Sequence, residues 1–131
     1  MDYTAKILVA EDNDFVRMQL VKFLQEEGHD VVESINGEQA LEHISKDDDI
    51  DIAIVDLRME PLDGFEFIRS MQANGNDMPV ILVTGDDNPD LLNDANKLSV
   101  AAVLMKPVQR DRLIKAVSKT IQVMMRKSAG K

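Results

Sequence analysis

The chain alternates between two hydrophobic periods. Short unbroken apolar runs, the mark of strands buried on both faces, occur at 6–10, 51–56, 80–83 and 100–105. A further run, 30–34, is short and valine-rich, as an edge strand would be. Between the runs, apolar residues fall at helical spacing. Segment 14–27 sets Val16, Leu20, Phe23 and Leu24 on one face, and Gly28 follows as a C-terminal cap. Segment 37–46 aligns Ala40, Leu41 and Ile44, and segment 64–73 aligns Phe67, Ile68 and Met71. Asn88-Pro89 has the form of a cap with proline at the first helical position. The helix it opens buries Leu91, Ala95 and Leu98 and leaves Leu92 to one side. The last helix starts near Gln109, with Leu113, Val117, Ile121 and Met124 inward, and the tail is expected to fray from Ser128.

Five strands separated by helices predict an α/β fold, a flavodoxin-like doubly wound parallel sheet with helices on both faces. Right-handed crossovers and a reversal after the first half favour the strand order 2-1-3-4-5. In such a sheet the ligand crevice lies beyond the carboxyl ends of the strands. Each strand that reaches this crevice ends on a reactive group. Glu11 and Asp12 follow the first, Asp56 closes the third, Thr84 follows the fourth and Lys106 the fifth.

Grouped carboxylates repel, so either some are protonated or a cation neutralises them. An oxygen-only set with room for water suits Mg²⁺. Asp12 and Asp56 are the expected ligands, with Glu11 reaching the ion directly or through water. Asp56 is also a candidate nucleophile able to form an aspartyl phosphate. Phosphoryl transfer asks for positioning and charge neutralisation, which Lys106 and the Thr84 hydroxyl could give to the equatorial oxygens. Singly, each residue has a plain structural reading. Asp56 would be the polar start of a loop, residues 11–14 helix capping, Thr84 a turn residue and Lys106 a surface charge. Four strand ends that each carry a fitting group favour the functional reading.

Composition narrows the choice. At 131 residues the chain suits one domain with its core at about 6–124. Hydrophobic residues at 44% against 30% charged make a packed core feasible. A net charge of −9 argues against unaided nucleic-acid binding. Cysteine is absent, which excludes disulfides and thiolate metal sites. No apolar run approaches the roughly 20 residues needed to span a bilayer, and no signal-peptide pattern opens the chain, so a soluble cytoplasmic protein is expected. The acidic run 47–49 lacks the glycine and distal glutamate of an EF-hand and reads as a solvated connection.

As a set, Glu11-Asp12, Asp56 with Asp63-Gly64, Thr84-Gly85 and Lys106-Pro107 resembles the receiver domain of two-component response regulators, over about 6–124. The resemblance implies that Asp56 takes a phosphoryl group from a phosphohistidine on a sensor histidine kinase or histidine phosphotransfer protein. It implies Mg²⁺ held by Asp12, Asp56 and the main-chain carbonyl of Arg58, phosphoryl oxygens bound by Thr84 and Lys106, and a cis Lys106-Pro107 bond. Three departures stand out. Val103 occupies the place of a usual aromatic, so no ring flip can report phosphorylation. Glu60 replaces a usual proline, with Pro61 one place later. Arg58 and Asp86 occupy the variable flanking positions, where they could pair across the mouth of the site.

No output domain is expected after the last helix, so the effect is expected through binding a partner or relaying the phosphoryl group, with a phosphorylation-dependent homodimer of an otherwise monomeric chain as a further route. The expected face is the fourth helix, fifth strand and fifth helix, with Leu92, Met105 and Val123-Met124-Met125. A receiver excised from a larger hybrid kinase or regulator is the alternative. A flavodoxin-type cofactor module would need a phosphate-cradling loop after the first strand, where this chain places Glu11-Asp12-Asn13-Asp14. A phosphatase with an aspartyl nucleophile commonly carries an acid two residues on, where Arg58 stands. An enzyme with turnover is therefore not expected beyond slow self-dephosphorylation.

Overall fold

The computed structural model describes residues 4–129. Strands β1 (Lys6–Ala10), β2 (Asp30–Ser34), β3 (Ile52–Asp56), β4 (Val80–Thr84) and β5 (Ala102–Met105) alternate with helices. These are α1 (Asp14–Glu26), α2 (Gly37–Lys46), α3 (Gly64–Ala73), α4 (Pro89–Lys97) and α5 (Arg110–Ala129). The strands form one parallel sheet in the order β2-β1-β3-β4-β5, as the periodicity predicted. The last strand begins at Ala102 rather than Val100. Helix α5 is continuous through Ala129, and residues 130–131 of the expected frayed tail lie outside the described residues.

Period-two alternation splits the buried strand residues between two cores. On one face Leu8, Ala53, Val55 and Leu82 meet Phe67, Ile68 and Met71 of α3 and Ala95 of α4. On the other, Ile7, Val9, Ile54 and Ile81 meet Leu20 and Leu24 of α1 and Leu113, Val117 and Ile121 of α5. The central strands β3 and β4 are buried at every position, which is why their sequences show no polar alternation.

Local chemistry sets the helix ends. Asn13, Asn36, Asp63 and Asn88 each accept a backbone N–H of the turn they open. Asp63 and Glu66 complete a reciprocal capping box on α3. Past α1, Gly28 turns the chain at φ +87°, a left-handed conformation that glycine adopts without strain. The acidic run after α2 behaves as a solvated connection, with Asp47 paired to Lys6 and Asp48 and Asp49 exposed.

The buried ring of His29 accepts the Ala5 N–H on Nδ1 at 3.0 Å. Burial lowers its pKa, so the folded chain favours the neutral ring and the unfolded chain binds the proton more tightly. Its contribution to stability is then complete above the unfolded value of about 6.5 and is lost as the pH falls below it. Melts between pH 7.5 and 5 are expected to show a shallower acid loss in His29→Asn, which retains an acceptor but cannot titrate. Equal slopes would remove His29 from the acid response.

Candidate functional site

The carboxyl ends of β1, β3, β4 and β5 converge on one cleft. Ala10 of β1 is paired with Val55 of β3, which sets the Glu11 and Asp56 ends side by side. Glu11 is fully buried. Its N–H donates to Ser34 O at 3.0 Å, and its Oε2 accepts the Asn13 N–H at 3.1 Å. Asp12, next along, is exposed toward the cleft mouth. Asp56 closes β3 and is 4% exposed.

Gly64 explains how α3 comes so close behind Asp56. A Cβ at that position would lie 2.8 Å from the Asp56 carbonyl oxygen and 3.0 Å from Leu57 Cα. The Gly64 N–H instead donates to Leu57 O at 2.9 Å. Thr84, at the end of β4, is buried, and its Oγ1 accepts the Asp86 N–H at 3.0 Å. The Lys106 N–H donates to Thr84 O at 2.9 Å, which carries the lysine over the cleft.

Electrostatics organises these groups. Lys106 Nζ lies 2.9 Å from Glu11 Oε1 and 3.2 Å from Asp56 Oδ2. Burial alone would lower the ammonium's pKa, but the Glu11 and Asp56 carboxylates outweigh it and hold it above the ordinary lysine value. Asp12 is pushed up, by burial first and then by the neighbouring Glu11. Glu11, Asp12 and Asp56 each offer an oxygen within 4.8 Å of the others. One ammonium cannot neutralise three carboxylates. Moreover, Glu11 Oε1 is buried without an aligned hydrogen bond, the lysine meeting it as an ion pair only. A hard oxygen set with surplus negative charge and an under-satisfied buried oxygen fits a divalent cation such as Mg²⁺.

The structure brings Glu11, Asp12, Asp56, Thr84 and Lys106 together, as the sequence placed them. The Lys106-Pro107 bond is cis, as the resemblance implied, and Glu60-Pro61 is cis as well, which the sequence reading did not foresee. Arg58 and Asp86 do pair across the mouth, Nη2 to Oδ2 at 2.8 Å. The Asn88 N–H and then Arg58 hold Asp86 below the usual carboxylate range. Both partners face solvent, so the pair adds little stability. Val103 is half-buried against the core shared with α3 and α4. Leu92, Met105, Val123 and Met125 are exposed, whereas Met124 packs partly into the core. Sequence reading missed Arg17, which grips the Glu11 carbonyl; its i,i+3 spacing from Asp14 was the one available signal.

A doubly wound parallel sheet with an acidic, lysine-capped cleft at its switch point defines an α/β protein whose carboxylate cluster could hold a metal ion. Comparison with known proteins gives the family. The model of the response regulator receiver domain matches residues 7–118, and this chain belongs to that family. Sporulation initiation phosphotransferase F of Bacillus subtilis is 27% identical over 114 residues, covering 87% of this chain and 91% of that protein. The CAI-1 autoinducer sensor kinase/phosphatase CqsS of Vibrio cholerae is 29% identical over 116 residues, 86% of this chain. The chain spans only 17% of the length of that kinase. A response regulator receiver protein from Pseudomonas putida superposes with a TM-score of 0.84 at 31% identity, covering 91% of this chain and 99% of that one. The chain is therefore a receiver domain of two-component signalling, a family of switches that pair with histidine kinases or phosphotransfer proteins. No helix among the described residues is long and apolar enough to cross a membrane.

Proposed function

We propose that this chain is a phosphoacceptor switch in which Asp56 receives the phosphoryl group. The observation that carries the reading is the burial of Asp56 at the end of β3, inside the Glu11–Asp12 cluster and 3.2 Å from Lys106 Nζ. An Asp56 carboxylate oxygen attacks the phosphorus of a phosphohistidine on a sensor histidine kinase or histidine phosphotransfer protein. The phosphorus–nitrogen bond breaks, its electron pair returns to the imidazole, and the ring leaves neutral after taking up a proton. Lys106 holds the negative charge gathering on a phosphoryl oxygen. The Thr84 oxygen already accepts from Asp86, and it keeps its own proton to donate to another.

Asp12, Asp56 and the main-chain carbonyl of Arg58 would hold Mg²⁺, with Glu11 binding directly or through water. Held there, the ion would supply positive charge to offset the carboxylates and the phosphoryl oxygens. Arg58 cannot act as a general acid, so the acyl phosphate decays slowly by water attack and the chain acts as a switch without turnover. The exposed Leu92, Met105, Val123 and Met125 form the face that meets a cytoplasmic partner or, once phosphorylated, a second copy. A receiver embedded in a longer kinase would use the same cleft.

Incubation with acetyl phosphate and Mg²⁺, followed by intact mass, is expected to show one added phosphoryl group. The addition is expected to vanish with EDTA and in Asp56→Asn. A modification indifferent to that substitution would take the acceptor role from Asp56.

A further inference from the structure

Arg17 has no part in the chemistry above, yet its side chain is only 13% exposed. It stands on α1, one turn beyond the Asn13 cap. Its guanidinium joins three pieces of chain. Nη1 donates to Glu11 O at 2.8 Å, Nη2 to Asp14 Oδ1 at 2.6 Å, and Nε to Glu33 Oε1 on β2 at 3.2 Å. Glu11 is wholly buried, so its carbonyl receives a guanidinium proton where water does not reach. That carbonyl belongs to the peptide joining Glu11 to Asp12. The rest of Glu11 is already held, by Ser34 O on its N–H and by the Asn13 N–H on its carboxylate.

We propose that Arg17 is a positioning residue for the cation site. By clamping the Glu11 carbonyl between α1 and β2, it fixes the backbone from which the Asp12 carboxylate reaches the ion shared with Asp56. This inference rests on the cation site of the proposed function and deepens it. An ammonium would bring the same charge, but only the planar guanidinium meets three acceptors in fixed directions.

Electrostatics and positioning predict opposite signs. A cation beside a cation site repels the ion, so loss of the Arg17 charge should tighten Mg²⁺ binding if only the field mattered. Loss of the clamp should weaken it. Calorimetric titration of the full chain with Mg²⁺ alone, without phosphodonor, separates the two. Both Arg17→Met and Arg17→Lys are expected to bind Mg²⁺ about tenfold more weakly, the scale on which partners behind metal ligands act. Saturating Mg²⁺ is expected to return acetyl phosphate labelling to within about twofold of wild type, since the effect lies in binding and not in the transfer. A merely structural role would lower the melting temperature in EDTA without this split.

Unchanged or tighter Mg²⁺ binding in the folded variants would overturn the proposal, as would wild-type affinity in Arg17→Lys. If Arg17→Met does not fold, the lysine variant decides. A wild-type chain that binds no Mg²⁺ removes the cation site and this inference with it. One that binds Mg²⁺ but takes no phosphoryl group defeats the acceptor reading and leaves the clamp standing.

Discussion

Lys106→Met is expected to slow phosphorylation by acetyl phosphate about 10²–10³-fold at saturating Mg²⁺, the usual effect of removing one preorganised charge stabiliser. The lysine is the only cation recorded against both Glu11 and Asp56 among the described residues. Methionine keeps most of its length and none of its charge, so the loss reports electrostatics rather than packing. The same change leaves three carboxylates with no ammonium between them, and the metal-free protein is expected to lose stability as well. Addition of Mg²⁺ should then raise the melting temperature of the variant more than that of the wild type. A labelling rate within a few-fold of wild type would place Lys106 outside the acceptor chemistry.

The second large effect is expected from Gly64→Ala. The added carbon would meet the Asp56 carbonyl oxygen at 2.8 Å and Leu57 Cα at 3.0 Å, backbone atoms that cannot swing aside. Either α3 withdraws or the end of β3 moves, and both displace Asp56. A loss of about 3 kcal/mol is expected from such overpacking, together with reduced labelling of the folded fraction. Gly85→Ala is the stability control, because its added carbon would come no closer than 3.9 Å to Lys106 Cβ. Equal denaturant midpoints for the two variants would mean that α3 does not press on the acceptor strand.

Much of this architecture was legible because strand burial and helix spacing leave different periods in the sequence. The runs at 51–56 and 80–83 read as interior strands, and the polar groups closing them, Asp56 and Thr84, fall at one edge of the sheet. The cluster of Glu11, Asp12, Asp56, Thr84 and Lys106 follows from strand order alone. Contacts made by long side chains were not legible. Nothing in the spacing of Arg17 says that its fork bends back to a buried carbonyl. The role of His29 was equally hidden, because its partner is the Ala5 backbone N–H, 24 positions away. The Arg58–Asp86 pair was foreseen as a possibility only, since two flanking charges meet or ignore each other according to loop shape.

The central claim is that the phosphoryl group resides on the carboxylate at the tip of β3. Borohydride reduction of the phosphorylated chain, followed by peptide sequencing in the mass spectrometer, tests it at single-residue resolution. An acyl phosphate at position 56 is reduced to an alcohol, so this account predicts homoserine there, dependent on phosphodonor and Mg²⁺, with Asp12 and Glu11 unaltered. Homoserine at position 12, or a phosphoryl group that resists reduction and maps to a hydroxyl residue, would contradict it.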